Sequence, residues 1–181
     1  MIWISGYRFI LHYLISTPID VLHSPFVFQL YNACIRRQKV LPAEKAATFG
    51  PEPEELQPYS KRTLQILQHL MLHLNLRRGT VITDHNVQKD SPFNIPDLLD
   101  VVMMQIEDER LAYTGFERIL NKLHNNSVII FHNMYASKAK YGLWQKIKQH
   151  PQVTVTVDVF FLGLVFFRKE QVRQDFRIRL F

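Results

Sequence analysis

The chain has 181 residues, of which 47% are hydrophobic and 21% charged, with 22 Lys and Arg against 16 Asp and Glu. This composition excludes a disordered or fibrous chain, and the length suits one domain, alone or with a small appendage. The single cysteine, Cys34, excludes a disulfide within the chain and a cysteine-based zinc site. We therefore expect a reducing, cytoplasmic setting.

The N-terminal third of the chain is predicted to be helical. Apolar residues recur at helical spacing over residues 2–16, which indicates an amphipathic helix. A second helix is predicted to begin after Ser24, a residue that caps helices well, and to run to about residue 37. Four prolines and a glycine over residues 40–58 mark a connecting segment. We therefore predict a helical appendage with a linker over residues 1–58.

The remainder, residues 59–181, is predicted to be an α/β domain in which strands alternate with helices. The predicted strands cover residues 80–83, 98–104, 126–131, 153–157 and 160–167, and the predicted helices cover residues 60–78, 108–123 and 137–150. Alternation of this kind favours parallel strands joined by right-handed crossovers. The last two strands have only a short connection, which makes them an antiparallel pair. The pattern thus predicts about five strands, mostly parallel.

The positive charge is concentrated in the C-terminal quarter. Residues 138–181 contain nine basic and three acidic side chains, a net charge of +6, whereas residues 51–137 carry a net charge of −3. A basic surface can attract nucleic acid, although a solvated helix face with a charged tail has the same composition, and no nucleic-acid-binding motif accompanies the charge. The longest apolar run, over residues 159–167, is too short to span a bilayer, so we expect no membrane partner.

Two segments indicate a family. Residues 23–28 read His-Ser-Pro-Phe-Val-Phe, and residues 158–167 read Asp-Val-Phe-Phe-Leu-Gly-Leu-Val-Phe-Phe. With the strand at 126–131, they resemble class I S-adenosylmethionine (SAM)-dependent methyltransferases, in particular a bacterial subgroup with the first segment near its N-terminus. The resemblance implies a Rossmann-like sheet of seven strands. It also implies a SAM site with a glycine-rich turn after the first strand, where only glycine lets the backbone approach the cofactor.

The chain departs from that pattern where the cofactor would bind. There is no glycine between Gly79 and Gly115, and about fourteen residues separate the first strand from Leu98. Two further strand–helix units do not fit there, since a strand–helix–strand unit takes about 30 residues. What remains corresponds to the first, fourth, fifth, seventh and sixth strands of the family sheet, which are contiguous neighbours. We therefore expect a truncated sheet with its first strand at an edge.

Five residues are candidates for a remnant pocket. Asp84 and His85 follow the first predicted strand. Gln105 stands where many relatives have an acidic residue after the fourth strand. His132 and Asn133 stand where many relatives have two metal-holding residues, Asp-Asp or Asp-Asn, after the fifth. Glutamine is a poor metal ligand and a poor base, so we expect no catalytic residue, no metal and no cofactor.

Three hypotheses follow. The first is a degenerate methyltransferase-like protein, a pseudoenzyme without SAM binding, that acts as a scaffold or binds a partner. Its exposed sheet edge would be covered by the chain itself, by a protein partner or by a second copy in a homodimer. The second is an active SAM-dependent methyltransferase in which Asp84 or His85 replaces the glycine turn. The third is a nucleic-acid-binding module that uses the basic C-terminal quarter.

Overall fold

A computed structural model describes residues 2–18, 23–36, 59–88 and 97–179. The helices are α1 (Ile2–Ile15), α2 (Pro25–Leu30, continued by a π-helical turn over Tyr31–Ile35), α3 (Lys61–His73), α4 (Asp84–Gln88), α5 (Glu109–Ile119, followed by a 3-10 turn over Leu120–Lys122) and α6 (Lys138–Lys148). The strands are β1 (Gly79–Thr83), β2 (Leu99–Gln105), β3 (Leu123–His132), β4 (Val155–Asp158), β5 (Leu162–Phe166) and β6 (Gln174–Arg177).

The six strands form one mixed sheet in the order β1-β2-β3-β5-β4-β6. The pairs β1–β2, β2–β3 and β4–β6 are parallel, and β5 is antiparallel to both of its neighbours, β3 and β4. The prediction of an α/β protein with a mostly parallel sheet and an antiparallel β4–β5 pair is confirmed. Among the described strands β1 is an edge, as expected.

Two local predictions were wrong. The sheet has six strands rather than five, because β6 is formed by the polar sequence Gln-Asp-Phe-Arg, whose side chains are exposed or half-buried and show no apolar alternation. Residues 84–88 form the short helix α4, where the sequence predicted no helix. In addition, β3 begins at Leu123, three residues earlier than predicted. Polar segments of this kind carry too little hydrophobic periodicity to be assigned from sequence.

The helices cover both faces of the sheet. On one face, α2, its π-helical turn and α3 share a hydrophobic core with alternate residues of the strands, among them Val101, Met103, Val128 and Ile130. On the other face, α5 and α6 enclose the second core, which includes Val102, Ile129, Phe116 and Trp144. The predicted boundary at residue 58 lies outside the described residues, but the N-terminal helix α2 shares its core with the sheet. No helix in the described ranges is long and apolar enough to cross a membrane.

Asp100 holds the amino ends of β1 and β2 together. Its carboxylate accepts the backbone N–H groups of Arg77 and Arg78, at 2.9 and 2.8 Å, and contacts the Arg78 guanidinium and the His124 ring at 3.0 and 2.8 Å. Burial by itself raises the pKa of Asp100. The hydrogen bonds from Arg78, Arg77 and His124 more than offset that effect and hold the pKa well below its ordinary value.

We expect Asp100→Asn to lower the free energy of unfolding by about 1–3 kcal/mol at neutral pH. Because the folded-state pKa is lower than the unfolded value of about 3.9, the contribution of the carboxylate is complete above about pH 4 and is lost as pH falls through the folded pKa. The difference between the variant and the wild type should therefore shrink in acid. Urea unfolding at a series of pH values measures it, with the exposed Asp97→Asn as control, and a pH-independent difference would contradict the assignment.

Candidate functional site

The strands β1, β2, β3 and β4 run in the same direction, so their carboxyl ends meet at one edge of the sheet. Thr83, Gln105, His132 and Asp158 are the last residues of these strands. In open α/β sheets, ligands bind outside this edge. Three of the five sequence candidates, Gln105, His132 and Asn133, are brought together here.

A cavity of about 210 Å³ opens between the ends of β2 and β3. We call it the carboxyl-edge pocket, and it is lined by Tyr59, Met104, Gln105, Ile106, Glu107, His132, Asn133 and Lys140. Asn133 has a left-handed backbone with φ of 54°, and its N–H donates to the carbonyl of Phe161 at 2.9 Å. Asparagine tolerates this conformation better than most residues, and the turn ends β3 directly after His132.

Polar contacts tie the walls of the carboxyl-edge pocket together. The Gln105 amide nitrogen donates to the Tyr59 hydroxyl at 2.8 Å, and the Tyr59 and His132 rings meet edge to face with centroids 4.7 Å apart. Across the pocket, Lys140 Nζ lies 2.6 Å from Glu107 Oε1. Glu107, the one carboxylate among the described lining residues, therefore has a cationic partner within hydrogen-bond distance.

Burial keeps two of the pocket side chains, Tyr59 and His132, in their neutral forms. Burial of the phenol raises the pKa of Tyr59 to about 12, and the Gln105 hydrogen bond only partly opposes this. Burial also lowers the pKa of His132, the positive charge of Lys140 lowers it further, and Glu107 opposes both. At neutral pH the pocket thus offers a neutral imidazole, a phenol and amide groups. These groups exchange hydrogen bonds with a polar ligand. Among the described lining residues only His132 and Glu107 are of the usual metal-ligating types, fewer than the three or four protein ligands of a typical zinc site.

The other two sequence candidates, Asp84 and His85, lie outside the lining of the pocket. The Asp84 carboxylate accepts the backbone N–H groups of Glu107 and Asp108, at 3.3 and 3.4 Å, so it joins the end of β1 to the turn before α5. His85 is exposed on α4. The Asp84 carboxylate is therefore engaged in holding the turn before α5.

Helix α4 packs over the carboxyl end of β1. Its Val87 side chain is buried and lies against Gly115 of α5, where a Cβ atom would stand 3.1 Å from Val87 Cγ2 and 3.3 Å from both Ile82 Cγ2 and Ile106 Cδ1. The absence of a side chain at Gly115 is what lets α4 come this close. The chain therefore continues from β1 directly into a helix that packs against α5, with no glycine turn between them.

A second polar cluster at the same edge was not predicted. Asp158 is buried at the end of β4, where it contacts His12 Nε2 at 3.0 Å, the Tyr135 hydroxyl at 2.5 Å and the Phe160 backbone N–H at 2.9 Å. Arg177 adds a longer contact at 3.6 Å. Burial opposes ionisation of Asp158, but the bonds from His12 and Tyr135 outweigh it and lower its pKa. The sequence did contain one signal for this cluster, because the charged residue Asp158 directly precedes the apolar run at 159–167.

This cluster docks α1 onto the sheet. His12 contacts Asp158, while Ser16 Oγ lies 3.0 Å from His12 Nδ1. One turn earlier, Arg8 donates to the carbonyl groups of Tyr135 and Ser137 at 2.9 and 3.0 Å. The face of α1 that meets the protein is therefore largely polar.

Most of the basic C-terminal quarter is used within the chain. Seven of its nine basic side chains have a described partner: Lys140 with Glu107, Lys146 with the Tyr113 ring, Lys148 with Asp175, Arg168 with Glu170, Arg173 with the Lys148 carbonyl, Arg177 with Asp158 and Arg179 with Tyr13. Four of these partners are carboxylates. The positive charge offered to a polyanion is accordingly smaller than the sequence count indicates.

Neither a search for metal-binding clusters nor comparison with known proteins assigns a function to the pocket. Within the described parts of the chain, no group of three or more His, Cys, Asp or Glu side chains could hold a metal ion. Comparison of the chain with family models, with curated proteins and with solved structures gives no significant match. The function must therefore be argued from the site itself.

Proposed function

We propose that the protein is a shortened, methyltransferase-like Rossmann module that does not bind SAM and that acts by binding a protein partner. The observation that carries this proposal is the position of α4 at the carboxyl end of β1. In the family that the sequence resembles, a glycine-rich turn at this point leaves space for the cofactor. Here Val87 of α4 packs against Gly115, and Asp84 holds the turn before α5.

The length of the connection supports the same proposal. Fifteen residues lie between Thr83, the end of β1, and Leu99, the start of β2, which are adjacent parallel strands. This connection is too short to add two strand–helix units beyond β1, since a single strand–helix–strand unit takes about 30 residues. The residues present therefore do not fit SAM, and we derive no methyl-transfer step.

The carboxyl-edge pocket favours a second candidate, a protein that binds SAM or its product in an atypical site. The pocket has polar walls and lies where α/β proteins hold ligands. Its volume of about 210 Å³ is below the range of roughly 300–1,000 Å³ that is usual for pockets holding a drug-sized ligand. It suits a fragment of such a cofactor better than the whole molecule, so we place this candidate second.

Isothermal titration with S-adenosylhomocysteine, the demethylated product of SAM, separates the two candidates. We expect no heat of binding and no rise in melting temperature, because a ligand stabilises a protein only by binding its native state. Saturable micromolar binding would overturn the proposal. In that case His132→Ala and His85→Ala form a matched pair, since only His132 lines the pocket. Loss of binding in His132→Ala alone would place the ligand there.

A further inference from the structure

Over residues 6–16, helix α1 turns its polar residues toward the protein and most of its apolar residues toward solvent. Arg8, His12 and Ser16 recur at a spacing of four residues and make the polar contacts described above. The opposite face carries what we call the α1 stripe: Tyr7, Ile10, Leu11 and Leu14, which are 69%, 59%, 43% and 68% exposed. Hydrophobic residues on a surface helix normally face the core.

The exposed apolar surface of α1 is large. Tyr13 and Ile15 flank the α1 stripe and are 40% and 54% exposed, so six large apolar side chains of α1 face solvent, whereas Phe9 packs edge to face on Phe160 with ring centroids 5.1 Å apart. With about half of each of the six exposed, and on the order of 200 Å² per large side chain, they leave roughly 600 Å² open. This is at the upper end of the about 300–600 Å² found for the largest patch on a typical monomer, and it is a large part of the ~800 Å² that each partner buries in a standard interface.

We propose that the α1 stripe is the interface of a homodimer in which two copies of α1 pack against each other across a two-fold axis. Tyr7, Ile10 and Leu14 follow the spacing of three and four residues that forms the seam between paired helices. A two-fold axis brings the same patch of both copies together, so a charged patch would face its own charge. The stripe carries no charged residue, which suits it to pairing with itself.

A lipid surface is the other apolar environment that could cover this helix, and the arrangement of charge disfavours it. Helices that lie on membranes present Lys and Arg on their polar face toward the lipid headgroups. Over residues 6–16 the only Lys or Arg is Arg8, and its guanidinium donates to carbonyl groups of the protein body. The polar face of α1 is thus already occupied, whereas the apolar face has a suitable partner in a second copy.

The inference names the partner that the proposed function leaves open, and it places the interface on α1 rather than on the β1 edge. The biological role of the dimer rests on the proposed function, but the existence of the dimer does not. Self-association and titration with S-adenosylhomocysteine are separate measurements, so a failure of one is distinguishable from a failure of the other.

Sedimentation equilibrium of the full chain tests the proposal, with Ile10→Glu and Leu14→Glu as interface variants. Both residues are more than half exposed, so the monomer fold should survive, and circular dichroism checks that it does. Each substitution enters the interface twice and places like charges opposite each other. We expect either variant to raise the dimer dissociation constant at least about tenfold. Val172→Glu is the matched control, since Val172 is 78% exposed in the turn between β5 and β6, at the opposite end of the sheet.

Three results would overturn the proposal. The first is a wild-type chain that remains monomeric up to the highest soluble concentration. The second is a dimer that Ile10→Glu and Leu14→Glu leave unchanged, which would place the interface elsewhere, for example on β1. The third is a monomer that sediments with anionic phospholipid vesicles and loses this property in the same two variants, which would identify a lipid surface as the occupant.

Discussion

Asp158→Ala is expected to lower the free energy of unfolding by about 3–5 kcal/mol, since removing one partner of a buried ionic network leaves the others unpaired. The substitution removes the acceptor of the His12 ring, the Tyr135 hydroxyl and the Phe160 N–H in a buried place. Asp158→Asn should cost less, because the amide keeps the shape and one acceptor oxygen. Chemical denaturation followed by circular dichroism measures both values.

The same substitution should release α1 from the sheet. Arg8 lies one turn from His12, and its guanidinium donates to the carbonyl groups of Tyr135 and Ser137. These hydrogen bonds should protect the bond after Arg8 from proteolysis. Trypsin should therefore cut after Arg8 faster in Asp158→Ala than in the wild type. Asp97→Ala, which changes a fully exposed carboxylate, is the control and should stay within about 0.5 kcal/mol of the wild type. A change of under 1 kcal/mol in Asp158→Ala would show that the network contributes little.

Gly163→Ala is expected to lower the free energy of unfolding by up to about 3 kcal/mol, the cost of overpacking a well-filled core. Gly163 lies in β5, between β3 and β4, and an added Cβ atom would stand 2.9 Å from Met134 Cε and from two ring carbons of Trp144. The methionine can move, but Trp144 of α6 is 1% exposed and its ring lies 6.0 Å from that of Phe131, centroid to centroid. Gly163→Val should be worse still.

Gly142→Ala is the matched control, and its expected effect has the opposite sign. Gly142 is exposed within α6, and the nearest atom to an added Cβ would be Glu109 Oε1 at an ordinary 3.7 Å. Alanine favours the helix over glycine by about 0.5–1 kcal/mol, so this variant should be stabilised. Thermal unfolding compares the two variants. Equal and small effects from both would mean that the Trp144 ring moves aside easily.

The strands with strong apolar patterns were predictable, and the polar elements were not. β2 and β3 each contain four consecutive apolar residues and β5 is the run Leu-Gly-Leu-Val-Phe, so their burial in the sheet could be expected from the sequence. β6 joins through backbone pairing with β4, which any side chain permits, so its sequence carries little signal. α4 depends on tertiary contacts between Val87 and α5, which local periodicity does not record.

The candidate site was predictable only where its residues follow strands. Gln105 and His132 end β2 and β3, and their position in the sequence places them at the carboxyl edge. Tyr59 comes from a segment 46 residues before its partner Gln105, and no local pattern links the two. For α1, apolar spacing correctly predicted an amphipathic helix, yet the polar face is the one that docks. Periodicity gives the two faces of a helix but not which of them meets the protein.

The contact between His12 and Asp158 also constrains the order of events when the chain is made. The two residues are 146 positions apart, and Thr17 likewise pairs with Arg177 and Ile178 near the other end of the described chain. During synthesis α1 leaves the ribosome well before these docking partners are added. Until then both faces of α1 are uncovered, which makes the nascent chain a candidate substrate for chaperones and delays the docking of α1 until β4 and β6 have been made.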